Sequence, residues 1–137
     1  MADLPERCVI VVDISLPAGK AANAAAVLAF TLGQRHPALV GEVLVDAGGA
    51  HYPGLIPLGI SVLTGSVEQL TALHRQAREA GIDCVVSPGA GQQTTDYAGF
   101  RTVVSTLAMD DLVPVGLALA GARKAVRKMT SDLPLLA

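Results

Sequence analysis

The most informative segment of the chain is CVIVVDISLPAGKAANAAAVLAF, residues 8–30. Its apolar, largely β-branched start predicts a buried strand over residues 8–13. Turn-forming residues occupy 15–19, and the Ala-rich segment after them predicts a helix from Lys20 to about Gln34. Because this helix is apolar nearly all round, we expect it to lie between a sheet and a further layer or a partner subunit.

The rest of the chain continues the alternation of strands and helices. For residues 97–107 we favour a helix, although 101–106 is β-prone enough to leave a strand open as the alternative. The alternation predicts one α/β domain over residues 1–137, with a three-layer α/β/α arrangement and a mixed, mostly parallel sheet. The further predicted elements are a hairpin over 42–52, a strand over 59–63, a helix opened by the capping box Ser66 to Gln69, a strand over 82–86, a strand over 112–120 and a helix over 122–129.

Composition excludes several classes of protein. Hydrophobic residues make up 51% of the chain, with 3% aromatics and no Trp, so the core is aliphatic and a base-stacking surface is not expected. A formal net charge of −2 argues against a constitutive, salt-resistant grip on nucleic acid. No apolar run reaches the length of a membrane span and the N-terminus lacks a signal-peptide pattern, so we predict a cytoplasmic protein without membrane contact.

The cysteines and histidines give no catalytic or metal-binding pattern. Cys8 and Cys84 lie in strand-like apolar runs, which predicts buried thiols rather than a disulfide or a zinc site. His36 and His74 fall at exposed-looking positions and His51 lies in the predicted hairpin. None of the three has a partner at triad or metal-ligand spacing, so we predict no metal and no cofactor.

Lys20 is the most informative single residue. The first turn of a helix carries unpaired N–H groups and about half a positive charge, so a cation placed there costs a few tenths of a kcal/mol. The same groups together with an ammonium form a site for a phosphate or a carboxylate. Two interpretations stay open: an anion site at Gly19 and Lys20, or a lysine that extends into solvent.

Other polar residues are expected near this point of the fold. Asp13 ends the first strand, where binding groups gather in α/β sheets, although a turn-forming Asp bonded to its own backbone is the alternative. Thr94, Thr95 and Asp96 are expected to meet Lys20 across the same sheet edge, or Asp96 caps the next helix. The candidate catalytic residues are Lys20, Asp13 and Asp96, and the candidate ligand-binding residues are Gly19, Lys20, Thr94 and Thr95.

Two parts of the chain carry a resemblance to a known family. The Gly19-Lys20 start of the Ala-rich helix, and the apolar strand 115–121 followed by the basic helix that ends in Met129-Thr130, resemble the type-II peptidyl-tRNA hydrolases. The whole chain is similar, more closely, to an uncharacterised bacterial family that shares this fold. The resemblance implies a peptidyl-tRNA hydrolase type-II-like domain.

The chain departs from the hydrolases at the residues of the reaction. Their Gly-Lys helix continues with a Gln and a His on successive turns, where this chain has Ala24 and Val27. The segment 87–96 holds similar residue types but lacks the Asp-Ala-Gly-x-Thr-Gln motif of the family. We therefore expect no standard peptidyl-tRNA hydrolase activity.

A basic stripe follows the last strand and bears on possible partners. Four cations at i, i+4 spacing would attract a phosphate backbone, so weak, salt-sensitive contact with tRNA is one interpretation and a solvated helix face is the other. The functions that stay open are a protein with an anion-accepting pocket for a small ligand, a divergent hydrolase of peptidyl-tRNA or another acyl ester, and a non-catalytic homodimeric interaction protein. A homodimer is compatible with all three. The cations are Arg123, Lys124, Arg127 and Lys128.

Overall fold

The computed structural model describes residues 4–92 and 94–137. Its elements follow the predicted order, with residues 97–104 helical rather than extended, which confirms the favoured interpretation. Short 3₁₀ turns lie at Pro37–Leu39, Gly89–Gln92 and Met109–Asp111. The helices and strands are β1 (Arg7–Asp13), α1 (Ala18–Arg35), β2 (Leu44–Val45), β3 (His51–Tyr52), β4 (Ile60–Gly65), α2 (Val67–Glu79), β5 (Asp83–Pro88), α3 (Tyr97–Val104), β6 (Pro114–Gly121) and α4 (Arg123–Thr130).

Four strands form the main sheet in the order β4-β1-β6-β5. β1 pairs in parallel with β4, whereas β6 is antiparallel to both β1 and β5. The prediction of a mostly parallel sheet is therefore wrong for the pairings, although β1, β4 and β5 run in one direction. The reason is α3, which buries no residue and contacts mainly the neighbouring 3₁₀ turn. The chain consequently enters β6 at the edge where β5 ends, and β6 runs back along it.

Side chains alternate across the sheet and build a core on each face. Residues 8, 10 and 12 of β1 pack with α1 on one face, while residues 9 and 11 pack with α2 and α4 on the other. Each face is aliphatic, as the composition predicts, and burial of this surface is the main stabilising contribution. The strand pattern of near-continuous burial therefore follows from helices lying on both sides of β1.

A glycine in β6 lets α1 approach the sheet closely. A Cβ atom at Gly116 would lie 2.8 Å from Cδ1 of Leu28 and 3.1 Å from the carbonyl oxygen of Val11. A larger side chain there would force the buried Leu28 side chain to shift and would crowd the backbone of β1. The Ala-rich inner face of α1, with Ala21 and Ala24 buried, packs on the same side of the sheet.

The predicted hairpin and the predicted helix cap are both present. β2 and β3 form a separate antiparallel pair, and Gly49 in the turn has a φ of 87°, which glycine adopts without strain. Ser66 and Gln69 form the reciprocal capping box, and Gly81 ends the helix with a φ of 70°. The α2 helix is therefore specified by its own sequence at both ends.

The last residues of the chain cover one edge of the sheet. The Thr64 N–H donates to the carbonyl of Pro134 at 2.8 Å, and the Leu136 N–H donates to the carbonyl of Val62 at 2.9 Å. This short antiparallel bridge pairs the outer side of β4, an edge that would otherwise offer unpaired backbone groups. Nothing in the sequence pattern predicted it.

Candidate functional site

The candidate site lies at the edge of the sheet where β1 and β5 end. β1 and β5 run in one direction, so their carboxyl ends lie at the same edge of the sheet. α1 also begins there, because it follows directly after β1. A cleft of about 330 Å³ opens there between α1 and the segment 94–100. Such an edge is where α/β sheets hold their ligands. The cleft is lined by Asn23, Ala24, Val27, Ser87, Pro88, Thr94, Thr95, Asp96, Tyr97 and Phe100.

Polar and apolar groups line the cleft together. Thr94, Thr95 and Asp96 place hydroxyl and carboxylate groups beside the amide of Asn23 in the lining. Apolar surface comes from Val27 and from two aromatic rings of α3, Tyr97 and Phe100, whose centroids are 6.0 Å apart with the planes inclined at 55°. The cleft can therefore hold a small ligand that carries both an apolar part and hydrogen-bonding groups.

The backbone beside the cleft is strained. Val113, just before β6, has a φ of 48°, and it is the one non-glycine residue with a positive φ in the described part of the chain. A β-branched residue in this region costs on the order of 1–3 kcal/mol. Its carbonyl accepts a hydrogen bond from the Gly89 N–H at 2.9 Å, and a Cβ atom at Gly89 would lie 2.6 Å from that oxygen. This contact fixes the end of β5, which forms the floor of the cleft.

Lys20 is the third residue of α1 and is exposed, one turn before Asn23 and Ala24 of the cleft. It does not itself line the cleft. The helix N-cap is Pro17, whose side chain makes no capping bond, and the first turn contains no acidic residue. The prediction that Lys20 lies in the first turn of the helix is thus confirmed.

Asp13 has a structural role in the turn after β1. Its Oδ1 accepts hydrogen bonds from the Ser15 backbone N–H at 2.9 Å and from the Ser15 hydroxyl at 3.0 Å. The turn-forming interpretation is therefore the one that the structure supports, and Asp13 does not line the cleft. Gly19 is exposed, and a Cβ atom there would meet nothing within 4 Å.

Asp96 both caps α3 and lines the cleft. Its Oδ1 accepts the Gly99 N–H at 2.6 Å, which confirms the predicted cap. Thr94 and Thr95 precede it in the lining, so three of the six candidate residues share one cleft beside α1. Gln93, in the same predicted loop, lies outside the described residues.

Two histidines differ from their predicted exposure. His74 lies on the inner face of α2 at 5% exposure, and burial lowers its pKa, with the Arg78 charge as a smaller cause. His36 is half-buried, and its Nε2 lies 2.6 Å from Oδ2 of Asp83. Both predictions of exposure are wrong. His74 lies with Leu70, Leu73 and Ala77 on the buried face of α2, and the partner of His36 is 47 residues away along the chain.

Burial disfavours the thiolate form of both cysteines. Burial raises the pKa of Cys8, and burial followed by the Asp83 charge raises the pKa of Cys84 to about 12. Both cysteines are free. Within residues 4–92 and 94–137 no three His, Cys, Asp or Glu side chains lie close enough together to hold a metal ion. No helix in that part of the chain is both long and apolar enough to cross a membrane.

The basic helix presents its charge to solvent. All four of its predicted cations are exposed, while Val126 and Thr130 face the core. The helix has no side chain of its own as a cap, and Oε1 of Glu6 accepts the Arg123 N–H at 3.0 Å instead. The exposed cations are Arg123, Lys124, Arg127 and Lys128.

Comparison with known proteins gives a family and a fold neighbour. Residues 6–137 match the family described as "Protein of unknown function (DUF2000)". The chain is similar to a solved structure of a protein of unknown function, Atu0240 from Agrobacterium tumefaciens strain C58. The two are 26% identical and superpose over 100% of each chain with a TM-score of 0.89. No curated protein matches the chain.

Proposed function

We propose that this chain, which belongs to the DUF2000 family of proteins of unknown function, binds a small anionic ligand at the cleft between α1 and α3. The observation that carries the proposal is the bare N-terminus of α1. It has no capping side chain and no acidic residue, and it carries Lys20 one turn before the cleft. In this proposal the anionic group of the ligand lies at Lys20 and the rest of the ligand lies in the cleft.

The electrostatics of α1 support the anionic end of this ligand. Ala18, Gly19 and Lys20 are the first three residues of the helix, and their N–H groups have no acceptor within it. The helix dipole adds about half a positive charge, and the Lys20 ammonium adds a full one. A phosphate or carboxylate bound there would offset the cost of a cation in the first turn. The open space around Gly19 leaves room for it.

The cleft defines the rest of the ligand. Tyr97 and Phe100 offer aromatic surface, while Asn23 and Thr94 offer hydrogen bonds. Asp96 would repel a second anion and would instead accept a hydrogen bond from a ligand hydroxyl. Nucleotides and acyl phosphates combine one anionic end with such a body, so they are the ligand classes we propose.

We further propose that the chain has the peptidyl-tRNA hydrolase type-II-like, three-layer arrangement without the standard hydrolase activity. Ala24 and Val27, which occupy the positions of the hydrolase Gln and His, both line the cleft. A methyl group and an isopropyl group can neither orient a water molecule nor transfer a proton. A divergent ester hydrolase would need Lys20 alone to stabilise the developing negative charge.

One experiment separates binding from hydrolysis. Purified wild type and Lys20→Ala are compared for peptidyl-tRNA hydrolysis at low salt, with a type-II hydrolase as positive control, and for binding of nucleotides and acetyl phosphate by calorimetry. We expect no hydrolysis, and binding to the wild type that weakens about tenfold or more in the variant. Hydrolysis that is lost in Lys20→Ala would replace the proposal by the hydrolase alternative. Equal binding by both proteins would refute the site at Lys20.

A homodimer formed through α1 is the second candidate function. The outer face of α1 leaves Val27 at 52% and Phe30 at 85% exposure, which is costly for a helix that faces only water. Sedimentation of wild type and Phe30→Glu over a range of concentrations tests it. A dimer that dissociates in the variant is the result this candidate requires, and a monomeric wild type would refute it.

The α4 helix carries the remaining proposed partner. Its four exposed cations would contact the phosphates of a tRNA weakly, and log Kd would rise steeply with log salt concentration. In a Lys124→Ala, Lys128→Ala double variant the slope of log Kd against log salt concentration should fall by about two, because two phosphate contacts are lost. Binding with no salt dependence would contradict this contact. A cytoplasmic location stays a prediction of the sequence.

A further inference from the structure

A second cavity lies at the other end of α1, away from the cleft. It has a volume of about 260 Å³ and lies, open to solvent on one side, between the last turns of α1 and the segment that follows the hairpin. Its lining is aliphatic apart from glycines and one ionisable side chain, His36. The residues that line it are Ala29, Leu32, Gly33, His36, Leu39, Val40, Gly54, Leu55, Ile56 and Ile60.

The imidazole of His36 is held in one orientation by a charged pair. The Arg35 guanidinium donates to both carboxylate oxygens of Asp83, at 2.7 to 3.0 Å. These bonds are the largest cause that lowers the pKa of Asp83, so the group is a carboxylate and accepts. His36 Nε2 must therefore donate its hydrogen to Oδ2 of Asp83, 2.6 Å away.

The second nitrogen of His36 is left for a ligand. Among the described residues Nδ1 has no hydrogen-bond partner. With Nε2 fixed as a donor, Nδ1 accepts a hydrogen bond when the ring is neutral and donates one when the ring is charged. The apolar cavity thus has a single polar anchor, preorganised through Asp83 and Arg35.

We propose that this cavity binds a small aliphatic monocarboxylate, with the alkyl chain among the apolar side chains and the carboxylate on Nδ1 of His36. Charge balance favours this ligand. Arg35 and Asp83 neutralise each other, so a carboxylate bound to a charged His36 completes a second neutral pair. At about 260 Å³ the cavity lies below the range of drug-sized sites, which selects short alkyl chains.

Other charged groups near His36 favour a ligand with one carboxylate. His36 and Asp83 also line a neighbouring opening at the same end of the sheet, which includes Glu6. Glu6 would repel a second anionic group, so a dicarboxylate should bind less tightly than a monocarboxylate. This site is independent of the cleft at Lys20, since the two share no lining residue.

Calorimetry with hexanoate and hexan-1-ol tests the inference on the wild-type protein. Hexanoate should bind more tightly than the alcohol, because only its carboxylate can form an ion pair with His36. His36→Phe keeps an aromatic ring of similar size but cannot bond the carboxylate. It should weaken hexanoate binding about tenfold or more and change hexan-1-ol binding little. Hexanoate binding that is unaffected by His36→Phe would overturn the inference.

Two further variants locate the bound molecule, and they test the inference even if His36→Phe does not fold. Gly33→Leu places a side chain at the cavity wall, where a Cβ atom meets nothing within 4 Å, and should abolish binding of both ligands. Lys20→Ala should leave hexanoate binding unchanged. Hexanoate binding lost in Lys20→Ala but kept in Gly33→Leu would move the carboxylate to the cleft and refute this site. A wild type that binds neither ligand but dimerises with Leu55 buried would show that a second copy covers the cavity, which also refutes it.

Discussion

The helices α1 and α2 lie on opposite faces of one sheet, and they differ in the capping and the charge of their first turns. α2 opens with a reciprocal capping box between Ser66 and Gln69, carries Glu68 in its first turn and ends at a glycine. α1 opens at Pro17 with no side-chain cap and carries Lys20 where α2 carries an acid. Every local feature of α2 favours the helix, whereas the first turn of α1 opposes it.

Their outer faces differ in the same way. No large hydrophobic residue of α2 is exposed, but α1 exposes Val27 and Phe30. Natural sequences depart from local rules mainly where a site or an interface requires it. The comparison therefore assigns a scaffold role to α2, and it supports our proposal that α1 carries the ligand site.

The largest change in stability is expected at a buried side chain of α2, and an exposed side chain of α1 serves as the comparison. Leu70 of α2 is fully buried, so Leu70→Ala should lower the free energy of unfolding by about 2–5 kcal/mol. Phe30→Ala on α1 should change it by less than about 0.5 kcal/mol. Urea unfolding at low protein concentration measures both. A large loss of unfolding free energy for Phe30→Ala in a monomeric sample would show that Phe30 is packed, which contradicts its exposed position on α1.

The next effect concerns how closely α1 lies on the sheet. Gly116→Ala forces a methyl group against Leu28 and should lower the free energy of unfolding by about 1–3 kcal/mol. Gly33→Ala is the matched control, because its methyl group meets nothing and a helix interior prefers alanine by about 0.5–1 kcal/mol. If both substitutions change the free energy of unfolding equally in urea, α1 does not pack closely against the sheet at Gly116.

A smaller effect is expected from the cap of α2. Ser66→Ala removes the oxygen that accepts the Gln69 N–H at 3.1 Å and should cost about 0.5–2 kcal/mol of unfolding free energy. Ser66→Asp keeps an accepting oxygen and should restore most of the loss. If both variants unfold at the same urea concentration, the cap does not stabilise α2 as argued.

The smallest effect is a pH dependence that originates in α2. Burial lowers the pKa of His74 below the value of about 6.5 expected in the unfolded chain. The unfolded chain then binds the proton first, so this contribution to stability is full above about pH 6.5 and declines as the pH falls below it. Urea unfolding at several pH values should show this decline in wild type and in His51→Gln, and a shallower one in His74→Leu. An unchanged slope in His74→Leu would contradict the assignment.

The sequence predicted the elements well because their signals are local. Apolar runs, the capping box at Ser66 and the turn glycines act within a few residues, so each strand and helix could be placed to within a few positions. The direction of β6 could not be predicted in this way. It depends on whether the intervening helix crosses the sheet, and α3 lacks the buried residues that would hold it there.

The candidate site was predicted in part for the same reason. Lys20 and the cap at Asp96 follow from local helix chemistry, and the structure brings the 94–96 segment to α1 in one cleft. The pairing of His36 with Asp83 has no local signal, since it joins the end of α1 to the start of β5. The sequence predicted a helix over 97–107 but not that its aromatic side chains line the cleft, because periodicity does not show which face of a helix meets a neighbour.

The most direct test measures urea unfolding of wild type and Lys20→Glu with and without inorganic phosphate at constant ionic strength. Without phosphate, the glutamate suits the first turn and should raise the free energy of unfolding by about 0.3–1 kcal/mol. With phosphate, the wild type should gain stability and the variant should not. Our proposal is that Lys20 destabilises the first turn of α1 in the absence of an anion and binds one there. An equal gain in stability for both proteins with phosphate would contradict it, and so would a variant that is less stable than the wild type without phosphate.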